Sequence, residues 1–253
     1  MDEETEKLVC EQMPDVQARH PNLELLRDRS GELWMRGGVG FSIEHDGHLI
    51  EDHYNLKFQI PDDYPASPPF VFETEDKIPS DFGHFMAAGN LCLGTPVEVQ
   101  RQFAEHKSLL RFIDEQVVPY LFSYCYKRDH GNLPFGELRH GTVGLLQYYT
   151  EFFGVAPIEA MKLLKCLADD FAPPLMACPC GSELKLRDCH GTKLDQLRPF
   201  LPTEQFEMEL REMIECATAA KIRLPESKIM PRKMWKRKRR DLRKAIRTRQ
   251  RKG

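Results

Sequence analysis

Apolar positions along the chain change period several times, and each change marks an element. Leu8, Cys10 and Met13 recur at helical spacing, Pro14 interrupts, and HPNLELLRDR resumes the pattern, so the first thirty residues predict a broken helix. The period then becomes two. Val39, Phe41 and Ile43 alternate with Gly40 and Ser42, and His45-Asp46-Gly47 is a hairpin turn. Tyr54, Leu56, Phe58 and Ile60 alternate with Asn55, Lys57 and Gln59, a strand with one buried face. The run PDDYPASPP ends it, and PFVFET predicts a third strand with Phe70 and Phe72 on one face. Three strands so close in sequence imply an antiparallel meander. Residues 75–95, with Gly83, Gly89 and Gly94, are irregular, and a stretch of that length in a compact domain is functional or disordered. Leu91-Cys92-Leu93 within it predicts that the segment crosses the core surface.

Helical spacing returns at Leu109, Ile113 and Val117, followed by a polar break over Tyr126–Phe135. Leu145, Tyr148, Tyr149 and Phe152 predict a second helix. Ile158, Met161, Leu164, Cys166 and Leu167 predict a third, with Pro157 in its first turn. Phe206, Leu210, Met213, Ile214 and Ala217 form a last amphipathic stripe.

At 253 residues the chain is long enough to bury a core without disulfide staples. It has no apolar run of the ~18 to 20 residues a membrane span requires, and its acidic opening lacks the apolar centre of a secretory signal. The expected compartment is the cytoplasm. The net charge of -3 conceals a division: residues 221–253 hold 16 Lys and Arg against Glu226 and Asp241, which is +14, leaving -17 on the remainder. Residues 228–252 make nucleic-acid phosphates a candidate, nonspecific partner, beside an acidic protein or the chain's own acidic body.

Eight cysteines in a cytosolic chain do not imply disulfides, and here spacing matters more than number. ACPCGSELKLRDCHG brings Cys178, Cys180, Cys189 and His190 within thirteen residues. Three thiolates and one imidazole complete a tetrahedral zinc site with no open position, so the ion is expected to be structural. Gly181-Ser182 permits the sharp return that lets neighbouring ligands face one ion. The stretch resembles the SEC-C motif, the metal-binding tail of the bacterial protein-translocation ATPase. Ligand spacing and the Cys-His-Gly ending agree, and Glu183 stands where that motif usually has glycine.

A lone cysteine between leucines is most often a small core residue. The surroundings of Cys92 give it a second reading. YNLKFQIPDDYPASPPFVFET followed by GNLCLG resembles the ubiquitin-conjugating (UBC) family, in its divergent bacterial branch, over residues 1–125. Tyr64-Pro65 and Pro68-Pro69 match its proline turn, and Gly89, Leu91, Cys92 and Leu93 match its active-site segment. The resemblance implies an N-terminal helix, a four-stranded meander and a nucleophilic Cys92. That thiol would accept a ubiquitin-like modifier from an activating enzyme and pass it to an amine of a protein target. The family's His-Pro-Asn does not precede Cys92. A literal copy at His20–Asn22 lies ahead of the strands and reads as a helix-start signal, while DFGHFMAAGN offers His84 for the family's histidine and Asn90 as an amide donor to the oxyanion.

His130, Glu137, Arg139 and His140 occupy a polar connector, where Glu137 or His140 would accept the amine's proton if it folds over the cysteine. His45, His48 and His53 flank the hairpin and read as surface residues. The expected fold is α+β: a UBC-like meander with flanking helices at 1–125, a helical extension at 126–175, a zinc knuckle at 176–195, and a helix with a basic tail at 196–253. Two functions compete: a ubiquitin-conjugating-like transferase, and an inactive UBC-fold scaffold that recruits protein or nucleic acid through knuckle and tail. A translocation or ribosome-associated role rests on the knuckle alone.

Overall fold

Helix α1 (Glu3–Arg19) begins where Asp2 accepts the Thr5 N–H on Oδ1 at 2.8 Å, with Glu3, Glu4 and Glu6 in the positive first turn. It runs through Pro14 without the expected break. Val9, Met13 and Val16 form one buried stripe, and their packing offsets the ~3 kcal/mol a helical proline costs. Pro14 and Cys10 lie on the exposed side, where water can serve the carbonyl that loses its N–H. His-Pro-Asn marks the end of this helix, not a start: the His20 N–H donates to Val16 O at 2.7 Å, and the Leu23 N–H donates to His20 O at 3.1 Å.

The computed structural model of the chain describes residues 2–134 and 141–240. Two units divide the molecule, Met1–Glu137 and Leu138–Gly253. In the N-terminal unit the residues expected to resume a helix form β1 (Glu24–Arg27) instead. Pairing with β2 (Leu33–His45), Leu25 opposite Met35, overrides the local spacing. β2, β3 (His48–Gln59) and β4 (Phe70–Glu73) complete an antiparallel sheet in sequence order. Asp46 and Gly47, both at positive φ, close the β2–β3 hairpin and set His45 opposite His48. Gly37 is required: a Cβ there would meet Asn22 O at 1.8 Å, because the turn after α1 lies directly on β2. Tyr54, Leu56, Phe58 and Ile60 are buried as expected. In β4 the inward residue is Val71, while Phe70 is exposed and Phe72 packs on Trp34 with ring centres 5.9 Å apart. Phe70 and Phe72 thus share one face as expected, and it is the face turned away from the core.

After the irregular span come α2 (Pro96–His106), α3 (Leu109–Phe112), a wide turn Ile113–Val117 and α4 (Val118–His130). Val117, Leu121, Phe122 and Cys125 are buried in the same core as the sheet residues. α4 continues four residues past the start of the expected polar break. Tyr126 is the reason: its ring packs on His45 at 5.4 Å and Phe122 at 6.0 Å. His45 is thus a half-buried packing residue rather than a surface one. Asp52 joins α4 to β3, accepting from Arg128 at 3.0 Å and Tyr54 at 3.1 Å and pairing with Lys77. Burial pushes its carboxyl up, but Lys77, the His53 N–H, Arg128 and Tyr54 together hold it far below the usual carboxylate range.

The C-terminal unit is helical: α5 (Gly141–Phe153), α6 (Pro157–Ala168), α7 (Gly191–Leu197), α8 (Thr203–Ala219) and α9 (Glu226–Ile229). Its core holds Tyr149, Phe153, Leu163, Leu164, Leu194, Leu197, Phe206 and Leu210. Inside it the Tyr149 hydroxyl donates to Glu209 Oε2 at 2.6 Å. Burial lifts the Glu209 carboxyl to about 7, against the downward pull of Tyr149 and Gln205. A carboxyl raised in the folded state contributes stability that is complete below its unfolded value near 4.5 and is lost as pH rises through about 7. The difference is about 3 kcal/mol. Glu209→Gln keeps an acceptor for Tyr149 and cannot ionise. It is expected to melt higher than wild type at alkaline pH and like wild type at acid pH; thermal melts at the two pH values check this, and equal alkaline melting would refute it.

Candidate functional site

The knuckle is folded by short backbone bonds. Ala177 pairs with Lys185, the Cys178 N–H donates to Leu184 O at 3.0 Å, and the Leu186 N–H donates to Met176 O at 2.9 Å. Gly181, at φ +88, makes the return between Cys178 and Ser182. A short turn, Leu186–Asp188, then delivers Cys189 and His190 immediately before α7. The four donor atoms lie within 4.8 Å of one another. Cys178 Sγ and Cys189 Sγ stand 3.3 and 3.0 Å from His190 Nδ1, and Cys180 Sγ is 3.6 Å from Cys189 Sγ. Bonds of about 2.3 Å at tetrahedral angles place two thiolates roughly 3.8 Å apart, so the cluster needs only small adjustments to close on one ion.

The surrounding atoms prepare the ligands. His190 Nε2 faces Phe153 O at 3.1 Å. A ring nitrogen against a carbonyl must carry the proton, which leaves the Nδ1 lone pair for a metal. Burial raises the Cys180 thiol, but the Ser182 hydroxyl and N–H and the neighbouring thiols outweigh it and bring it down to about 6, while burial pushes the Cys178 thiol up. Lys193 Nζ donates to Phe152 O at 2.7 Å and Phe153 O at 2.9 Å. The ligand segment is thereby fastened to the carbonyl end of α5.

In the N-terminal unit, Cys92 is half-buried and pinned on its backbone. The Leu91 N–H donates to Val71 O at 2.7 Å and the Cys92 N–H to His84 O at 2.9 Å. Leu91 is buried and Leu93 packs on the core, so the segment crosses the core surface as the pattern predicted. The thiol itself contacts Gly94 O at 3.8 Å. Burial pushes the Cys92 thiol up, and backbone hydrogen bonding from Gly94 to the thiolate only partly counters that. His84 meets the cysteine through its carbonyl, while its ring lies 4.7 Å from Phe82 and 6.5 Å from Tyr120. Asn90 is half-buried two residues before Cys92, and its own carbonyl accepts the Met86 N–H at 2.8 Å.

Residues 177–192 match the SEC-C motif. No curated protein and no solved structure matches the chain. The C-terminal unit therefore carries a SEC-C Cys-Cys-Cys-His cluster, with all four expected ligands brought together. No helix among the described residues is long and apolar enough to cross a membrane.

Tyr120 belongs to the Cys92 site and has no sequence signal beyond its place on a helix. Its hydroxyl donates to His84 O at 2.9 Å, the carbonyl that also receives the Cys92 N–H. Burial pushes that hydroxyl up and holds it in its protonated form, so Tyr120 acts as a donor. His130 packs against Tyr126 at 4.4 Å and His48 at 5.0 Å. Glu137, Arg139 and His140 lie outside the described residues.

Proposed function

We propose that the chain is a ubiquitin-conjugating-like transferase that carries a modifier on Cys92, with a SEC-C knuckle holding structural zinc. The observation that carries this reading is the placing of Cys92. It follows a helix, a four-stranded antiparallel meander and a proline-rich turn, and precedes a run of helices. That is the order the UBC resemblance implies. Cys92 is half-buried and the backbone N–H groups of Leu91 and Cys92 are fixed, which helps a nucleophile meet a large acyl donor reproducibly.

The chemistry balances without a metal at Cys92. Its thiol loses a proton, and Sγ attacks the carbonyl carbon of the thioester that joins the modifier's C-terminus to the activating enzyme. A new S–C bond forms as the old one breaks, and the donor thiolate leaves. An amine of the target then attacks the same carbon, an amide forms, Cys92 departs as thiolate and the amine's proton passes to solvent or a base. Asn90 is the proposed side-chain donor to the oxyanion. His84 supports the site through its carbonyl, with Tyr120 fixing that carbonyl. In the knuckle, Cys178, Cys180, Cys189 and His190 would hold zinc, which would supply a structural cross-link.

A transfer assay with an activating enzyme charged with its ubiquitin-like modifier tests the reading. Wild type is expected to form an adduct that thiols cleave, and Cys92→Ala to form none. An adduct that survives in Cys92→Ala would move the site elsewhere. The raised Cys92 thiol favours a second reading, an inactive UBC-fold scaffold. Failure of the native thiol to label or to accept the modifier would select it.

A further inference from the structure

The basic stretch is a fixed element where it begins. Ile229, Met230 and Pro231 are buried, and residues 232–240 are helical. The Arg232 N–H donates to Asp169 Oδ1 at 2.7 Å, and its guanidinium lies 3.8 Å from the Phe171 ring centre. Lys233 stands 3.8 Å from Glu204 and 3.9 Å from Glu207, and Lys238 pairs with Glu226. The root of the helix is thus neutralised by its own unit.

Its outer side is not. Lys236, Arg237 and Arg239 are exposed and make no ion pair among the described residues. The stretch Arg232–Arg240 has seven Lys and Arg and no acid. Lys236 with Arg239 and Arg240, and Arg237 with Arg240, repeat at helical spacings of three and four, where like charges repel. A solvated helix lowers that cost by interleaving Glu at the same spacings, and this one does not. The sequence then continues with Arg243, Lys244, Arg247, Arg249, Arg251 and Lys252 against Asp241.

A partner that relieves the repulsion must present dense negative charge. Side chains on one face of a helix recur every ~5.4 Å, and a duplex carries a phosphate charge every ~1.7 Å of its axis with both strands counted, so more than one phosphate lies within reach of each turn. Membrane-surface helices set a broad apolar face against the basic one. Here the large apolar side chains of 232–240 are Met234 and Trp235, both half-buried. Arginine also matches phosphate oxygens in a two-pronged way, and four of the seven cations of 232–240 are arginine.

We infer that the anchored helix 232–240 is a nucleic-acid-binding element that grips the phosphate backbone without reading sequence. The inference does not depend on any activity of Cys92. Fluorescence anisotropy of the full chain with a duplex of about 20 base pairs, over roughly 50 to 200 mM salt, tests it. Wild type should show log K falling linearly with log salt, and two unrelated duplex sequences should bind alike. The triple variant Lys236→Ala, Arg237→Ala, Arg239→Ala should bind at least tenfold more weakly at the lowest salt. Its slope should be shallower by about 2.7, three contacts at about 0.9 each. Arg237→Lys with Arg239→Lys, which keeps the charge, should retain the wild-type slope and excludes a folding defect as the cause. An RNA strand of equal length tells which nucleic acid is preferred, and its binding must show the same dependence on the triple variant. An unchanged slope in the triple variant would overturn the inference. So would displacement of the duplex by equal charge concentrations of polyglutamate or phosphatidylserine vesicles, which would assign the helix to acidic proteins or to membranes.

Discussion

Stripping the zinc proposed for the knuckle is expected to loosen α5 and α7 in the C-terminal unit while the sheet keeps its protection. The four ligands sit at the joint between α5 and α7, and His190 and Lys193 bond the last carbonyls of α5. Cys178 and Leu186 are buried with Leu194 and Leu197 one turn further on. Without an ion, three thiols and an imidazole with donor atoms within 4.8 Å of one another have nothing to hold them, and charging the thiolates sets them against one another. Structural zinc contributes on the order of 10 kcal/mol to small zinc-dependent folds. The helical core of α6 and α8 retains part of that here, so a loss of about 3 kcal/mol or more, a fall of roughly 10 °C or more in melting temperature, is expected. Cys189→Ser should act in the same direction. Metal analysis should find one zinc per chain, and amide exchange should accelerate in α5 and α7 on chelation. Because the thiolates and Nδ1 must be deprotonated to bind, the ion is held less tightly as pH falls. A metal-free preparation with unchanged exchange in α5 and α7 would remove the knuckle from the account of stability.

The knuckle was legible because its chemistry is local: four ligands within thirteen residues need no tertiary information to be found. The same holds for β3, whose strict alternation survives folding, and for α6 and α8. Elements whose form is decided by distant partners were not legible in this way. Leu25 and Leu26 are spaced as well for a helix as for a strand, and pairing with Met35 and Trp34 decides between them. Pro14 reads as a breaker until the buried stripe on either side of it is known. Phe70 and Phe72 are the larger side chains of β4, yet Val71 faces the core, because the register with Phe58 settles which face is inside. α2 escaped notice because few of its residues, Val97 and Phe103 among them, are buried. At Cys92 the sequence pattern locates the thiol and its half-buried neighbours. The bond from Tyr120 to His84 O, 36 residues apart in sequence, exists only once α4 packs beside the loop.

The reactivity of Cys92 is expected to climb steeply with pH. Its burial holds the thiol above the ordinary 9.0, so at neutral pH nearly all of it is protonated. Below the folded value the thiolate fraction rises tenfold per unit, and alkylation of the Cys92 peptide by iodoacetamide should accelerate roughly a hundredfold between about pH 7 and pH 9. A plateau reached near pH 7 would mean that a neighbouring cation stabilises the thiolate, which the contacts with Gly94 O and His84 O do not provide. A raised thiol slows the proposed attack, though by less than the fall in thiolate fraction alone. Nucleophilicity grows with basicity at a Brønsted slope of about 0.4 to 0.5, so each added unit returns about threefold of the tenfold lost in thiolate fraction. The larger consequence lies in the second step. A more basic thiolate is a poorer leaving group, which makes the carried acyl group less prone to stray hydrolysis and its release more dependent on a well-placed amine. On the proposed reading, a protein modifier charged on such a thiol would wait for its target. The pH profile of alkylation, measured on the uncharged chain, decides whether Cys92 is built that way.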